Sequence, residues 1–382
     1  MYQPDCYISY SASFTKVASF CTSSENVISS ASKSILGWLP GGLGIVTVFS
    51  CAIFAALTGS GPATVAAIGS IMLPSMLKAG YSRETSAGLV ASAGALGPII
   101  PPSIPMIIYG VTMNLSIPAM FMAGVVPGLV IALALSLVNV VFAYRNPEVL
   151  KHAKTMKFDF KESMKLFWKA LGALGLPVLI LGGIYGGIFT PTESAAVGIV
   201  YALILGFALK ELKVKDLPKI LINSLKTSTM VNFIIAAASL FSWVVSKSQI
   251  GIVISNAFIS FVGGSQALYL FVLVVVLLIV GCLMDNVAAT LILAPILIPV
   301  GIALGCNELH IGMLFCICLV VGFVTPPFGY NLFTAVSISG LNFKQIVKGA
   351  LPFLLTEILL LFVFAYVPGI ITWLPRLMGY GY

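Results

Sequence analysis

Two stretches of this 382-residue chain carry paired prolines inside otherwise apolar runs: Gly97-Pro98-Ile99-Ile100-Pro101-Pro102 and Gly322-Phe323-Val324-Thr325-Pro326-Pro327. A proline has no N–H to give to the carbonyl four residues earlier, so in a helix Pro101 releases the carbonyl of Gly97 and Pro326 that of Gly322. In a lipid-like medium an unpaired carbonyl costs several kcal/mol unless another group meets it. A desolvated sodium ion, hard and oxygen-seeking, is one such group; unwound carbonyls and half-helix C-termini are how transporters hold it. A proline kink repaired by neighbouring helices or water is the other reading of a single pair. Two pairs in matching positions favour the ion.

Polar oxygens stand at two further breaks in apolar sequence. Ser60 and Thr64 flank Thr58-Gly59-Ser60-Gly61-Pro62, while Asp285, Asn286 and Thr290 lie at and after Met284-Asp285-Asn286. Hydroxyl, carboxylate and amide oxygens would there meet half-helix N-termini, which attract anions, so Thr64 and Thr290 are candidate substrate contacts. Asp285 reads as a buried intramembrane acid, a functional candidate by its cost alone. Ser60 and Asp285 serve equally as N-caps, and Glu193 in Thr190-Pro191-Thr192-Glu193 reads as a helix cap rather than a substrate contact.

Other chemistry is thin. The seven cysteines, Cys6, Cys21, Cys51, Cys282, Cys306, Cys316 and Cys318, are scattered and give no disulfide framework. Cys316 and Cys318 fall on different faces of a helix, without the partners a transition-metal site needs. The two histidines, His152 and His310, lie in loops. No nucleophile–base pair, paired carboxylates or phosphate-cradling loop suggests an enzyme, a cofactor or an ATP-driven motor.

The elements that must position these residues follow from composition. Only 8% of residues are charged and 59% are hydrophobic, with mean hydropathy +1.09, which excludes an ordinary soluble enzyme. The apolar runs have helix-spanning lengths and no strand alternation, so the fold class is an all-α polytopic membrane protein, in contact with lipid. The net charge of +8 sits in loops and speaks of topology, with no nucleic-acid partner.

Residues 1–35 hold ten serines and read as a polar lead, a truncated or replaced N-terminus. An element interrupted at 58–62 resembles a re-entrant helical hairpin, two half-length helices meeting at bilayer depth. Spans are expected at 84–113, 117–143, 166–188, 192–210 and 227–247, then a second interrupted element at 266–304, a broken span at 310–338 and a last span at 350–372. Lysine and arginine cluster in 145–169, in 210–226, at Lys78 and Arg83 and at Lys344 and Lys348, and putting all of them in the cytoplasm leaves the two hairpins opening on opposite sides.

A shift of 225 residues aligns Pro74 with Pro299, Gly80 with Gly305, Gly97 with Gly322, Pro101-Pro102 with Pro326-Pro327, Gly124 with Gly349 and Pro127 with Pro352. Identity over 60–127 is 11 of 68 positions, but seven of the eleven are glycine or proline, which set backbone shape. Inverted repeats with interrupted helices mark secondary transporters. The expected division is therefore a lead (1–35), a first repeat (36–143), basic loops and scaffold spans (144–247), a second inverted repeat (248–374) and a tail (375–382).

The segments GSGPATVAAIGSIMLPSMLKAGYS, GALGPIIPPSIPMIIYG, GIFTPTESAAVG, GCLMDNVAATLILAPILIP and GFVTPPFGYNLF resemble, in this order, the large membrane subunit of tripartite ATP-independent periplasmic (TRAP) transporters, the DctM-like family, over about 36–374. The resemblance implies an elevator-type, sodium-coupled importer in the bacterial inner membrane. Its cargo would be an organic acid anion of the C4-dicarboxylate, sialic acid or keto-acid class. Its partners would be a small four-helix membrane subunit and a periplasmic substrate-binding protein. By motif, a first sodium site would use Ser60 with the backbone of Gly97, Ile100 and Pro102, and a second would use Asp285 and Asn286 with Gly322, Thr325 and Pro327. A stand-alone divalent-anion/sodium symporter shares hairpins and proline-broken helices and is the alternative; a passive channel would expect symmetric subunits instead.

Overall fold

The computed structural model describes residues 39–155, 175–210, 212–248 and 258–381. They are helical, with no strand among the described residues. The first half comprises α1 (Gly42–Thr58), α2 (Gly61–Lys78), α3 (Arg83–Ala93) with a 3-10 turn at Gly94–Leu96, α4 (Ile104–Met113), α5 (Ile117–Tyr144) and α6 (Pro147–Thr155). Between the halves lie α7 (Gly175–Tyr185), α8 (Pro191–Ala208) and α9 (Leu217–Lys247). The second half comprises α10 (Gln266–Leu283), α11 (Asn286–Ala303), α12 (Glu308–Gly322), α13 (Tyr330–Ser339), α14 (Phe343–Tyr366) and α15 (Gly369–Leu377).

Local chemistry explains the interruptions. Gly59 ends α1 in the left-handed region at φ 59°, with its N–H on the Ala55 carbonyl, and Ser60 is extended before Pro62 enters the first turn of α2. The second interruption uses extended Met284 and Asp285, whose carboxylate accepts the Val287 N–H at 2.8 Å. In each half, the span holding the Pro-Pro pair stops short of the prolines and resumes as a ten-residue helix, α4 or α13. The Pro101–Pro102 and Pro326–Pro327 peptide bonds are both cis.

The 225-residue register extends from residue types to element ends. Moving α2 by that distance gives the bounds of α11, and α1, α3, α4 and α5 land within a few residues of α10, α12, α13 and α14. Gly80 and Gly305 occupy matched left-handed positions at φ 89° and 82°. Packing exchanges partners in the same way. Ile108 of α4 meets Val287 and Leu291 of α11, while Ile338 of α13 fills the space beside Gly69 of α2.

Small residues let the helices approach. A Cβ on Gly88 of α3 would strike the backbone of Gly349 in α14, and one on Gly281 of α10 would lie 2.6 Å from the Leu319 carbonyl of α12. A polar bond ties α5 to the start of α1: Asn139 donates to the carbonyl of Gly41, the cap of α1, at 2.8 Å. Among the described residues, five helices, α5, α8, α10, α11 and α14, are long and apolar enough to cross a membrane. Leu129, Leu133, Leu137 and Val141 form an exposed stripe along α5, and Leu351, Leu355, Leu359 and Val363 form one along α14. Exposed apolar stripes of that length suit lipid or another membrane helix rather than water.

Several expected boundaries move. The last span begins at Phe343, because Asn342 and Gln345 form a capping box there, and it ends at Tyr366 just before Pro368. The helix expected at 227–247 starts at Leu217, whereas that at 166–188 is described only from Gly175 to Tyr185, its earlier residues lying outside the described ones. The lead, 1–35, also lies outside them. Neither histidine is in a loop. His152 belongs to α6, and His310 is buried in the first turn of α12, where Asn307 caps its N–H and its Nε2 lies 2.8 Å from the Phe364 carbonyl.

Candidate functional site

The first interruption sits directly on the first proline break. A Cβ on Gly97 would lie 2.6 Å from the Ser60 carbonyl oxygen and 3.0 Å from the Gly61 nitrogen, and one on Gly59 would lie 3.1 Å from the Pro102 carbonyl oxygen. Gly61 and Gly94 also face each other, each carbonyl 3.3 Å from where the other's Cβ would stand. Glycine is needed here for space: Gly97 has an ordinary right-handed conformation at φ −50°, ψ −57°.

Oxygen accumulates at this junction. The Ser60 carbonyl accepts the Thr64 N–H at 3.1 Å and the Thr64 hydroxyl at 2.8 Å, and the Thr58 and Thr64 hydroxyls are 3.0 Å apart. Ser60 occupies the N-cap position of α2, yet its side chain makes no capping bond, which leaves its hydroxyl available. In the break, Ser103 donates to the Pro98 carbonyl at 2.6 Å, while the carbonyls of Gly97, Ile100 and Pro102 accept no hydrogen bond from any described residue. The Ile100 side chain packs on Gly128 of α5. Ser60, Gly97 and Pro102, three residues that the resemblance implies for a first sodium site, thus lie at one junction, and Thr64 joins them as a hydroxyl bound to Ser60.

The second break is built differently. Gly322 abuts the end of α10, a Cβ on it lying 2.9 Å from the Cys282 nitrogen. Pro326 does not free the Gly322 carbonyl, because the backbone tightens to a three-residue turn and Thr325 N–H donates to it at 3.0 Å. The Thr325 hydroxyl donates to the Val321 carbonyl at 3.0 Å, and Pro327 is exposed. Asp285 is not a buried acid. Its side chain is exposed and caps α11, while the next residue along the helix turns inward. That residue, Asn286, is buried with neither amide atom bonded, and Thr290, one turn on and fully buried, has no partner for its hydroxyl among the described residues. No hydrogen bond joins Asp285 or Asn286 to Thr325 or Pro327 among the described residues.

Asn331 escaped the sequence reading. It is the second residue of α13 and completely buried, and its Nδ2 donates to the Ala91 carbonyl of α3 at 3.1 Å. A polar side chain just past the second Pro-Pro pair was the signal available. Glu193 behaves as expected: it forms a capping box with Thr190, its carboxylate accepting the Thr190 N–H at 2.8 Å. Cys316 and Cys318 are buried free thiols, and no group of three metal-binding side chains occurs among the described residues.

Two helix interruptions, each against a proline-broken helix, are repeated along one chain, and residues 15–370 match the family model described as the DctM component of tripartite ATP-independent periplasmic transporters. The chain belongs to this family. The match reaches into the serine-rich lead, beyond the motifs that first carried the resemblance. The chain is 40% identical over 348 residues to the C4-dicarboxylate TRAP transporter large permease protein DctM of Pseudomonas aeruginosa, an alignment covering 91% of this chain and 80% of that one. It is 37% identical to the 2,3-diketo-L-gulonate TRAP transporter large permease protein YiaN of Escherichia coli, over 88% of this chain and 78% of that protein. To the sialic acid TRAP transporter large permease protein SiaM of Vibrio cholerae it is 32% identical, over 91% and 81%. As a DctM component the chain is a multi-pass membrane transport protein and not an enzyme.

Proposed function

We propose that this chain is the translocating subunit of a sodium-driven importer of an organic acid anion in the bacterial inner membrane. A small four-helix membrane subunit would seat it, and a periplasmic binding protein would deliver the anion. Family membership supports the partnership, and the carboxylate cargoes in the names of its relatives support the substrate class. The observation that carries the sodium reading is the first junction, where Gly97 abuts the Ser60 backbone, the Pro102 carbonyl lies beside Gly59, and the carbonyls of Gly97, Ile100 and Pro102 accept no hydrogen bond from any described residue. Sodium, desolvated and bound by oxygen, offsets carbonyls that an apolar interior would otherwise penalise.

The second site is read around Asn286 and Thr290, whose unpaired side-chain atoms suit a cation or the anion's carboxylate, with Gly322, Thr325 and Pro327 shaping the backbone and Asp285 as the cap. In this reading the helix pairs α1–α2 and α10–α11 are re-entrant hairpins of opposite orientation. Residues 44–127 and 266–352 move together past a stationary scaffold that includes 166–210. The matched element ends and the exchanged packing partners support an inverted repeat. The test is uptake by the chain reconstituted with both partner proteins. Substrate should accumulate with sodium outside and cease when choline replaces it; uptake indifferent to that exchange would remove sodium from the mechanism.

A further inference from the structure

Asn331 belongs to one half of the fold by its backbone and to the other by its side chain. Its N–H donates to the Phe323 carbonyl at 3.0 Å, inside the second break, so its position follows how that break is wound. Its side chain crosses to the first half. Nδ2 holds the Ala91 carbonyl, and Oδ1 points at the first tip, 2.7 Å from where a Cβ on Gly61 would stand. The assignment of the two amide atoms follows from chemistry: the Ala91 carbonyl can only accept, so the atom facing it is nitrogen and the atom facing Gly61 is oxygen. Among the described residues that oxygen has no hydrogen-bond partner, although the residue is completely buried.

Structural roles do not use this oxygen. Gly329 caps α13 without any side-chain bond, and the Asn331 side chain runs across the fold, not back along its own helix. Nor does the repeat demand it, because the position 225 residues earlier is Met106, which has no oxygen to offer. A buried acceptor left open beside Gly61, the residue that also abuts Gly97 of the break with the open carbonyls, is arranged for a positive charge.

We infer that Asn331 is a positioning residue through which the second break completes the first cation site. The inference rests on the sodium reading of that junction. When the second break is wound as it is in this structure, a winding that a ligand at the second site would favour, the Phe323 carbonyl holds the Asn331 backbone and delivers Oδ1 to the first tip. Unwinding there withdraws the oxygen. Occupancy of the two sites is coupled in this way, and reciprocally.

The experiment measures uptake and sodium-dependent thermal stabilisation against sodium concentration, for the whole chain with its partners, in the wild type, Asn331→Leu and Asn331→Asp. Asn331→Leu should raise the sodium half-saturation about tenfold, the loss of one acceptor from the cation's surroundings, and bring the Hill coefficient toward one. Asn331→Asp keeps an oxygen at the tip and loses only the Ala91 bond, so its sodium half-saturation should stay at or below that of the wild type. A sodium-dependent wild type beside an Asn331→Leu variant with the same half-saturation and Hill coefficient would overturn the inference, leaving the oxygen with nothing more than a water. Equal loss in both variants would overturn it too, since the Ala91 bond alone would then matter. A wild type with no sodium dependence would instead defeat the sodium reading itself, and the inference with it.

Discussion

Gly97→Ala adds one methyl group at the point where the first tip meets the first break. Alanine is at home in the right-handed backbone of this position, and by lowering the freedom of the unfolded chain it would stabilise by about 0.4–1 kcal/mol if there were room. There is none: the new Cβ would lie 2.6 Å from the Ser60 oxygen and 2.8 Å from the Ser60 carbon, whereas ordinary contact starts at 3.4 Å. Both obstacles are backbone, which cannot swing aside as a flexible side chain would. Overpacking of this kind costs about 1–3 kcal/mol, so the net loss is about 1.5 kcal/mol, close to tenfold in an equilibrium. The tip must retreat by several tenths of an ångström, and the loss falls on whatever holds tip and break together. Sodium half-saturation in proteoliposome uptake should therefore rise about tenfold, with the unfolding midpoint in detergent lowered most when sodium is present. Gly182→Ala is the control, since a Cβ there meets nothing within 4 Å and should leave the sodium curve unmoved. A Gly97→Ala protein with wild-type half-saturation and midpoint would mean that the tip is not seated on the break in the working protein.

Pro101→Ala restores an N–H that can recapture the open Gly97 carbonyl, whereas the Gly322 carbonyl is already held by Thr325, so sodium half-saturation should rise more for Pro101→Ala than for Pro326→Ala. Unchanged uptake curves in both would leave these prolines as shapers of helices only. The double variant Asn286→Leu with Thr290→Val removes buried polar groups that have no partner, and should raise thermal stability by about 1–3 kcal/mol per group while lowering uptake; full uptake would exclude both residues from the transport path. Glu193→Ala breaks the capping box at the start of α8 and should cost about 1 kcal/mol, read from the unfolding midpoint, with no change in sodium half-saturation. A shifted sodium curve would draw Glu193 into the transport cycle.

What could be read from the sequence is what backbone chemistry decides locally. Glycine at 59 and proline at 62, 101 and 326 restrict or release φ and ψ whatever surrounds them, so the interruptions, the short helices beyond the breaks and the 225-residue register were all legible. What could not be read depends on rotation and on distant neighbours. Asp285 and Asn286 are both polar and adjacent, the first extended at the cap and the second opening the helix, so only the docking of α11 decides that the amide is buried and the carboxylate exposed. Asn331 meets Ala91 across 240 residues, a pairing no local pattern announces.

The Gly322 carbonyl shows a subtler limit. A proline deprives it of one donor, but a chain that tightens by one residue supplies another from Thr325, so a missing N–H need not leave an open oxygen. The two halves consequently share a backbone plan and differ in chemistry. The first leaves carbonyls open beside a glycine-lined tip; the second closes the corresponding carbonyl and keeps its unpaired atoms on the side chains of Asn286 and Thr290. Backbone carbonyls bind cations and cannot donate, whereas an amide and a hydroxyl can do either. Under the proposed reading this asymmetry suits a carrier of both a cation and an anion: the open carbonyls can only accept, and so favour the cation, whereas the amide and hydroxyl can also donate to a carboxylate.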